Sequence, residues 1–402
     1  MFNQPTLQYN NLYNQINRGN RPVFKGVRNK MVNNVVEIAG SQTKAKVYTG
    51  SVDCPTYNQI KTICSHPVFK DTPIRVMPDT HAGKTAIVGF TAPMDRSRGI
   101  IPGLISGDIG CGMLCVEIDT MGKDIDFEKL DKVIRTYVSK SHSRVPSVMN
   151  NYKKEIDKQV KNCCEEYEVS SDKALSKLGT LGGGNHFIEI DKDKNGVNYL
   201  VIHTGSRSFG QNVFNYHDKI ARKQNPYEIE DLSYLTGDEA SKYLEDLRIA
   251  TKFSQLNRRI IADEILKQMD WKEKSSFESI HNYIGEDGII RKGSIRADKD
   301  EQVIIPLNMR DGAIIGTGKG NPDWNNSAPH GAGRQYSRSE ASKLLDVEEF
   351  KKAMQGIHSS CISKSTLDEA PMAYKNADEI ISNINDTVEI QDIIKPVFNF
   401  KD

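Results

Sequence analysis

Long apolar segments, paired cysteines and a surplus of charge of either sign are missing from this chain of 402 residues. No run of about 18 apolar residues is present to cross a bilayer, so we expect no contact with a membrane. The first 20 residues are rich in Asn and Gln and have no apolar segment of the kind found in secretory signals, which predicts a cytoplasmic protein. A formal net charge of +1 excludes a uniformly basic surface, so any nucleic acid would have to bind to local patches.

The cysteines and the glycine-rich segments do not form the standard motifs either. Seven cysteines are an odd number without a CxxC pair, which argues against a disulfide framework or a zinc ribbon and predicts reduced, mostly buried thiols. Gly83-Lys84-Thr85 ends like a P-loop, but Pro78 stands where that motif needs its first glycine. The glycines between positions 179 and 184 are not followed by a helical pattern, so they do not indicate a Rossmann turn.

Helical and strand-like patterns are mixed along the chain. Residues 126–141 and 238–267 carry apolar side chains at spacings of three and four, which predicts helices. Residues 101–113 are predicted to form a buried strand that runs into a loop at Asp108. Because there is no regular βαβ alternation and no internal repeat, we predict an α+β fold, with one large mixed domain over residues 35–402 after a polar lead-in of residues 1–34.

Two segments combine side chains that bind metal ions. Asp108 and Cys111 lie three residues apart in a glycine-rich stretch, although a lone pair of this kind is more often a turn with an inert cysteine. His186 and His203 flank a predicted hairpin whose turn contains Asn195-Gly196, so they should face each other within about one residue. Either metal ligation or a role in the core is open for these two histidines.

His330 precedes Gly331-Ala332-Gly333-Arg334, where small residues expose backbone N–H groups beside a guanidinium. Such a segment suits a phosphate that is held against a nucleophilic or acid–base histidine. His281 lies at the edge of a predicted element and carries little information by itself.

Taken together, the ordered blocks of this sequence resemble those of the RtcB-type RNA-splicing ligases. The likeness extends from about residue 35 to the C-terminus, and the matching blocks are residues 77–84 (MPDTHAGK), 107–113 (GDIGCGM), 179–189, 203–207 (HTGSR), His281-Asn282, 330–334 (HGAGR) and 371–375 (PMAYK).

The resemblance implies a cleft with two manganese ions bridged by a thiolate, whose ligands would be Asp108, Cys111, His186, His203 and His281. The donor types alone favour zinc, so zinc or another divalent ion stays open. His330 would be the histidine that attacks the α-phosphorus of GTP and becomes guanylylated. Asp79 would be the carboxylate that orients it.

The resemblance also implies contacts to the guanine nucleotide from several segments. These would be Asn185, His186, Phe187, Ile188, Glu189, His281, Asn282, Pro306, Leu307, Asn308, Met309, Ala313, Gly331, Ala332, Gly333, Tyr374 and Lys401. The chain departs from the family pattern at Pro306-Leu307-Asn308-Met309-Arg310, where a Pro-Gly-Ser-Met-Gly stretch is usual, and at Ala313, where a serine is usual.

The implied activity joins an RNA 2′,3′-cyclic phosphate or 3′-phosphate end to a 5′-hydroxyl end with GTP, through a histidine–GMP intermediate and an activated RNA 3′ end. Its setting would be tRNA splicing or RNA repair, and an archease-like activator is an open possibility as a partner. Two other classes stay open: a metal-dependent phosphoesterase that acts on RNA ends, and a catalytically altered RNA-binding repair protein that no longer binds GTP.

Overall fold

The structure is a computed structural model that describes residues 35–139 and 144–402, so the predicted lead-in of residues 1–34 lies outside the described residues. The α-helices in this part are α1 (Cys54–Cys64), α2 (Pro102–Ile105), α3 (Phe127–Tyr137), α4 (Met149–Glu166), α5 (Ser171–Leu175), α6 (Arg207–Gln224), α7 (Gly237–Met269), α8 (Arg338–Leu344), α9 (Val347–Ala353) and α10 (Ala377–Asn383). The strands are β1 (Val36–Ala39), β2 (Lys44–Val47), β3 (Ile74–His81), β4 (Val88–Pro93), β5 (Gly112–Asp119), β6 (Phe187–Lys192), β7 (Asn198–Thr204), β8 (Lys272–Ile280), β9 (Asn282–Ile284), β10 (Ile289–Lys292), β11 (Ser294–Arg296), β12 (Gln302–Asn308), β13 (Gly312–Gly318), β14 (Ser327–Pro329) and β15 (Val388–Phe400).

These strands form two large sheets and a ribbon, which confirms the predicted α+β class. One sheet has the order β1-β2-β3-β4-β10-β9 and contains a parallel pair, β2 with β3. The other has the order β12-β13-β15-β6-β7-β5-β8 and is antiparallel, and β11 pairs with β14. The backbone N–H of Ile304 on β12 donates to Ser279 Oγ on β8 at 3.1 Å, so the edge strands of the second sheet approach each other and the sheet is curled.

The long helix α7 packs against both parts of the core. Its first two thirds, up to Ile260, contribute to a cluster that includes buried residues of the first sheet, and residues from Ile261 to Met269 contribute to a cluster with strands of the second sheet. The helices predicted over residues 238–267 and 126–141 are both present, as α7 and as the shorter α3. Within the described ranges, none of the helices is both long and apolar enough to span a bilayer.

The strand predicted over residues 101–113 is wrong in its first half. Pro102 instead occupies the start of the short helix α2, because its fixed φ suits the first helical turn and it has no N–H for a strand ladder. Ser106 then adopts a φ of 66°, which ends the helix. The chain enters β5 only at Gly112, so the segment with Asp108 and Cys111 is a loop between a helix and a strand.

Candidate functional site

The predicted metal ligands meet at one edge of the curled sheet. Cys111 immediately precedes β5, His186 immediately precedes β6, His203 lies at the end of β7, and His281 immediately follows β8. β5 pairs antiparallel with β7 on one side and with β8 on the other, and β6 pairs with β7. Antiparallel neighbours place the start of one strand beside the end of the next, so all four side chains reach the same edge.

The side-chain donor atoms lie close enough to bind metal ions. Cys111 Sγ is 3.3 Å from His203 Nε2 and 3.6 Å from His186 Nε2. His203 Nε2 is 3.3 Å from His281 Nε2, and Asp108 Oδ2 is 3.6 Å from His186 Nε2. The donors therefore form two groups, each with its ligand atoms within 4.8 Å, and Cys111 belongs to both groups. This donor set fits two divalent ions that share one thiolate.

The hairpin predicted between the first two histidines is confirmed. Its strands pair Phe187 with His203, so His186 is displaced by one residue from the position opposite His203. Gly205 follows this hairpin and passes close to Asp108: a Cβ atom at Gly205 would lie 2.2 Å from Asp108 Oδ1. Only glycine allows this approach, which brings the carboxylate against the end of β7.

Backbone carbonyls orient two of the imidazole rings. His186 Nδ1 lies 3.0 Å from the carbonyl oxygen of Leu181, and His203 Nδ1 lies 3.1 Å from that of Asn185. Because a carbonyl oxygen can only accept, we assign the proton of each ring to Nδ1, which leaves the Nε2 lone pair directed at Cys111 and available to a metal.

Burial sets the protonation states of these groups. It lowers the pKa of His203 and His281 well below the usual value, so both rings are neutral near pH 7. Burial, with the adjacent Asp108, raises the pKa of the Cys111 thiol well above its usual value. A bound ion would have to displace the thiol proton, as metal ions do at cysteine ligands.

His330 follows β14 and contacts a buried carboxylate. His330 Nδ1 is 2.6 Å from Asp79 Oδ2, and Asp79 is fully buried near the end of β3. Gly333 has a φ of 73°, and a Cβ there would lie 2.2 Å from the Asp79 carbonyl oxygen, so the loop after His330 packs directly on β3. The ring centroids of His281 and His330 are 4.8 Å apart, which places His330 next to the metal ligands.

A cavity of about 990 Å³ is lined by His330 and by three of the predicted metal ligands, Asp108, His203 and His281. This volume is within the range of small-molecule and cofactor sites. The predicted nucleotide residues on its wall are Asn185, Phe187, Glu189, His281, Asn282, Pro306, Leu307, Asn308, Met309, Gly331, Ala332, Gly333, Tyr374 and Lys401.

Three other predicted nucleotide residues do not line the cavity. His186 lies behind it among the metal ligands. Ile188 points to the opposite face of β6 from Phe187 and packs in the core, because side chains alternate along a strand. Ala313 is buried in β13 beneath the cavity.

Sequence reasoning missed a carboxylate that joins several residues of the cavity wall. Glu369 accepts hydrogen bonds from Lys401 Nζ at 2.9 Å, Tyr374 Oη at 2.6 Å and Arg334 Nη1 at 3.1 Å, and it also contacts Arg338. Burial alone would raise its pKa, but the surrounding cations outweigh this and lower it to about 2. A single glutamate at the end of a short 3-10 helix (Lys364–Glu369) has no periodic pattern, although it lies two residues before the 371–375 block.

Comparisons with known proteins find a family model and several relatives that match most of this chain. The family model described as tRNA-splicing ligase RtcB matches residues 59–402. The RNA-splicing ligase RtcB of Escherichia coli K12 is 30% identical over 364 residues, which cover 80% of this chain and 88% of that protein. The tRNA-splicing ligase RtcB of Methanococcus maripaludis is 26% identical over 426 residues, covering 82% of this chain and 88% of its own. RNA-splicing ligase RtcB homolog 2 of Entamoeba dispar is 27% identical over 419 residues, which cover 81% of this chain and 78% of that protein.

Proposed function

The chain belongs to the RtcB family, and from that premise we propose that it is an RNA ligase that uses GTP and two divalent ions to join RNA ends. The observation that carries this proposal is that the two metal-ligand groups share Cys111, and that three of their members, Asp108, His203 and His281, line one cavity together with His330. The RNA ends we propose are a 2′,3′-cyclic phosphate or 3′-phosphate and a 5′-hydroxyl.

The first step we propose is attack by His330 on GTP. Asp79 accepts the Nδ1–H of His330, which keeps the proton on that nitrogen and leaves a lone pair on Nε2. Nε2 forms a bond to the α-phosphorus, and pyrophosphate departs as the bond to the β-phosphate oxygen breaks. Divalent ions, held by the five ligands at the sheet edge, would neutralise charge on the phosphates.

The second and third steps seal the RNA. The RNA 3′-phosphate attacks the phosphorus bound to His330, so the guanylyl group moves to the RNA and the histidine is released. The 5′-hydroxyl then attacks the activated 3′-phosphate, forms the new phosphodiester bond and releases GMP. A cyclic phosphate must first be opened by water to give the 3′-phosphate. Glu369 fixes Lys401 and Tyr374 on the cavity wall. This arrangement supports our proposal that the nucleotide binds in the part of the cavity that these residues line.

Labelling with GTP tests the proposal against its two alternatives. With α-³²P-GTP and manganese, the wild-type chain should acquire an acid-labile label, and His330→Ala should not. His358→Ala is the matched control, because His358 is a partly exposed histidine outside the cavity wall and should not affect labelling.

The alternatives give different results when RNA with 3′-phosphate or cyclic phosphate ends is added to the same reaction and its 3′ ends are followed. A phosphoesterase would change RNA 3′ ends without labelling the protein, and an RNA-binding repair protein would do neither. Label that survives His330→Ala would contradict the proposed role of this histidine.

The identity of the metal needs a separate test, because the donor types on their own favour zinc. The chain should be treated with a chelator and then supplied with single metals before RNA joining is measured. We expect manganese to restore joining. Full activity with zinc alone would contradict the manganese proposal.

A further inference from the structure

One turn of α7 carries three polar side chains that are completely buried. Ser254, Asn257 and Arg258 have no solvent-exposed surface, while most of their buried neighbours on this helix are apolar. Their spacing of three and four residues places them on one face of the helix. This face contacts the loops that carry the metal ligands.

Arg258 joins two of these loops through their backbone carbonyls. Its Nη1 donates to the carbonyl oxygen of Gly110 at 2.9 Å and to that of Thr204 at 2.6 Å. Ser254 Oγ adds a second hydrogen bond to the Gly110 carbonyl at 2.5 Å. Glu278 on β8 balances the buried charge by accepting from Arg258 Nε at 2.5 Å.

The two carbonyls are next to metal ligands in the chain. Gly110 lies between Asp108 and Cys111, and Thr204 follows His203. Gly110 has a φ of 68°, and a Cβ there would lie 2.9 Å from Ser254 Cβ, so the loop is pressed onto α7. Arg258 therefore fixes the distance between the carboxylate–thiol loop and the end of β7.

Asn257 connects the same face of α7 to the loop that precedes His186. Its Oδ1 accepts from the N–H groups of Gly179 at 2.6 Å and Thr180 at 3.0 Å. Its Nδ2 donates to the carbonyls of Thr180 at 3.0 Å and Gly205 at 3.2 Å.

The contact reaches His186 through one further carbonyl. Thr204 Oγ1 donates at 2.6 Å to the carbonyl of Leu181, the same oxygen that accepts from His186 Nδ1. One turn of one helix is thus linked to four of the five metal ligands. The links to the segments of Asp108, Cys111 and His203 run through backbone carbonyls, and the link to His186 runs through the Thr204 hydroxyl and the Leu181 carbonyl.

We propose that Asn257 and Arg258 are positioning residues that set the metal affinity of this centre. The inference rests on the metal centre of the proposed function but requires neither GTP nor RNA. Groups that orient metal ligands without touching the ion typically change metal affinity by about 10–100-fold when they are removed. A residue that stabilised only the core would leave the affinity of the folded protein unchanged.

Cobalt binding tests the proposal. Metal-free protein should be titrated with Co²⁺ while thiolate-to-cobalt absorption and heat of binding are recorded, for wild type, Asn257→Ala and Arg258→Met. We expect both variants to weaken Co²⁺ binding by about 10–100-fold and to alter the absorption band of the thiolate. Arg258→Lys, which keeps a donor, should recover part of the affinity.

Arg259→Met is the matched control. Arg259 is the next residue of α7, but it is partly exposed and pairs with Glu273 and Asp263, so its variant should bind Co²⁺ like wild type. If Arg258→Met does not fold, as judged by circular dichroism, Asn257→Asp carries the test, because it removes the Nδ2 donor and keeps the side-chain size.

The outcomes separate this inference from the proposed function. Wild-type cobalt affinity in folded Asn257 and Arg258 variants would overturn the inference alone. A wild-type chain that bound no cobalt would overturn both the inference and the metal centre. If the variants bind cobalt more weakly but GTP does not label the wild-type chain, the inference is supported and the ligase proposal is contradicted.

Discussion

Asp79→Asn gives the sharpest test of how His330 would act, because the two side chains share a single short contact. His330 Nδ1 lies 2.6 Å from Asp79 Oδ2, and the carboxylate is fully buried. The other oxygen, Asp79 Oδ1, has no hydrogen-bond partner among the described residues. An asparagine at this position can place its amide NH₂ group either at the Oδ1 position or at the Oδ2 position, next to His330.

The lack of a hydrogen-bond partner at the Oδ1 position determines which orientation the amide adopts. An NH₂ group at the Oδ1 position would be a buried donor without an acceptor, which costs about 1–3 kcal/mol. The amide should therefore direct its NH₂ group at His330 Nδ1, which forces the imidazole proton onto Nε2 and removes the attacking lone pair. The equivalent change in a serine protease triad lowers kcat by about 10⁴. The orientation penalty accounts for only part of this loss, about 5–160-fold. The rest comes from removing the carboxylate charge that stabilises the imidazolium, so we expect a similar total loss here, about 5.5 kcal/mol of activation free energy.

Single-turnover labelling with α-³²P-GTP measures this loss directly. The control is Asp246→Asn, because Asp246 Oδ2 contacts His217 Nε2 at 2.8 Å in a buried pair away from the cavity wall. This control should lose stability but keep the labelling rate of its folded fraction. A rate for Asp79→Asn within tenfold of wild type, with the label still on His330, would refute the reasoning.

Two further predictions concern the metal centre and the cavity wall. Cys111→Ser should abolish RNA joining and reduce the amount of bound metal. Cys115→Ser changes an equally buried thiol outside both ligand groups, so it should retain RNA joining and the bound metal. Equal metal content in the two variants would exclude a bridging role for Cys111. Glu369→Gln breaks buried ion pairs, including the one with Lys401, and should lower the free energy of unfolding at pH 7 by about 3–5 kcal/mol in urea titrations. Because the folded pKa of Glu369 is about 2, below the ordinary value of 4.5, its stabilisation is fully present above pH 4.5 and is lost as the pH falls towards 2. The difference between wild type and Glu369→Gln should narrow over that range, and a constant difference would contradict this assignment.

Elements with a strong local pattern could be predicted from the sequence. The apolar stripe of α7 and the Asn195-Gly196 hairpin are present because helical periodicity and turn chemistry depend on neighbouring residues. The helix α2 was missed because the apolar side chains around Pro102 suit a buried strand equally well. Its backbone conformation became clear only from the structure.

The candidate site divides in the same way. The metal-binding types of Asp108, Cys111 and the histidines are visible in the sequence, and their order along the chain is the basis of the resemblance to the RtcB family. Their chemistry is a property of single side chains. Glu369 and Asn257 carry no such signal, because a buried hydrogen bond depends on a partner far away in the chain.

By itself, the sequence determined which donors exist, where the long helix and the hairpin form, and which family the chain belongs to. All three depend on residue types and on the order of neighbouring residues. Only the tertiary structure decided that Cys111 belongs to two ligand groups and that the ring of His330 lies 4.8 Å from that of His281. It also decided that one buried turn of α7 holds the ligand loops. The contact between Asp79 and His330, which are 251 residues apart in the chain, is a further relation of this kind, because sheet pairing and packing fix which distant segments meet.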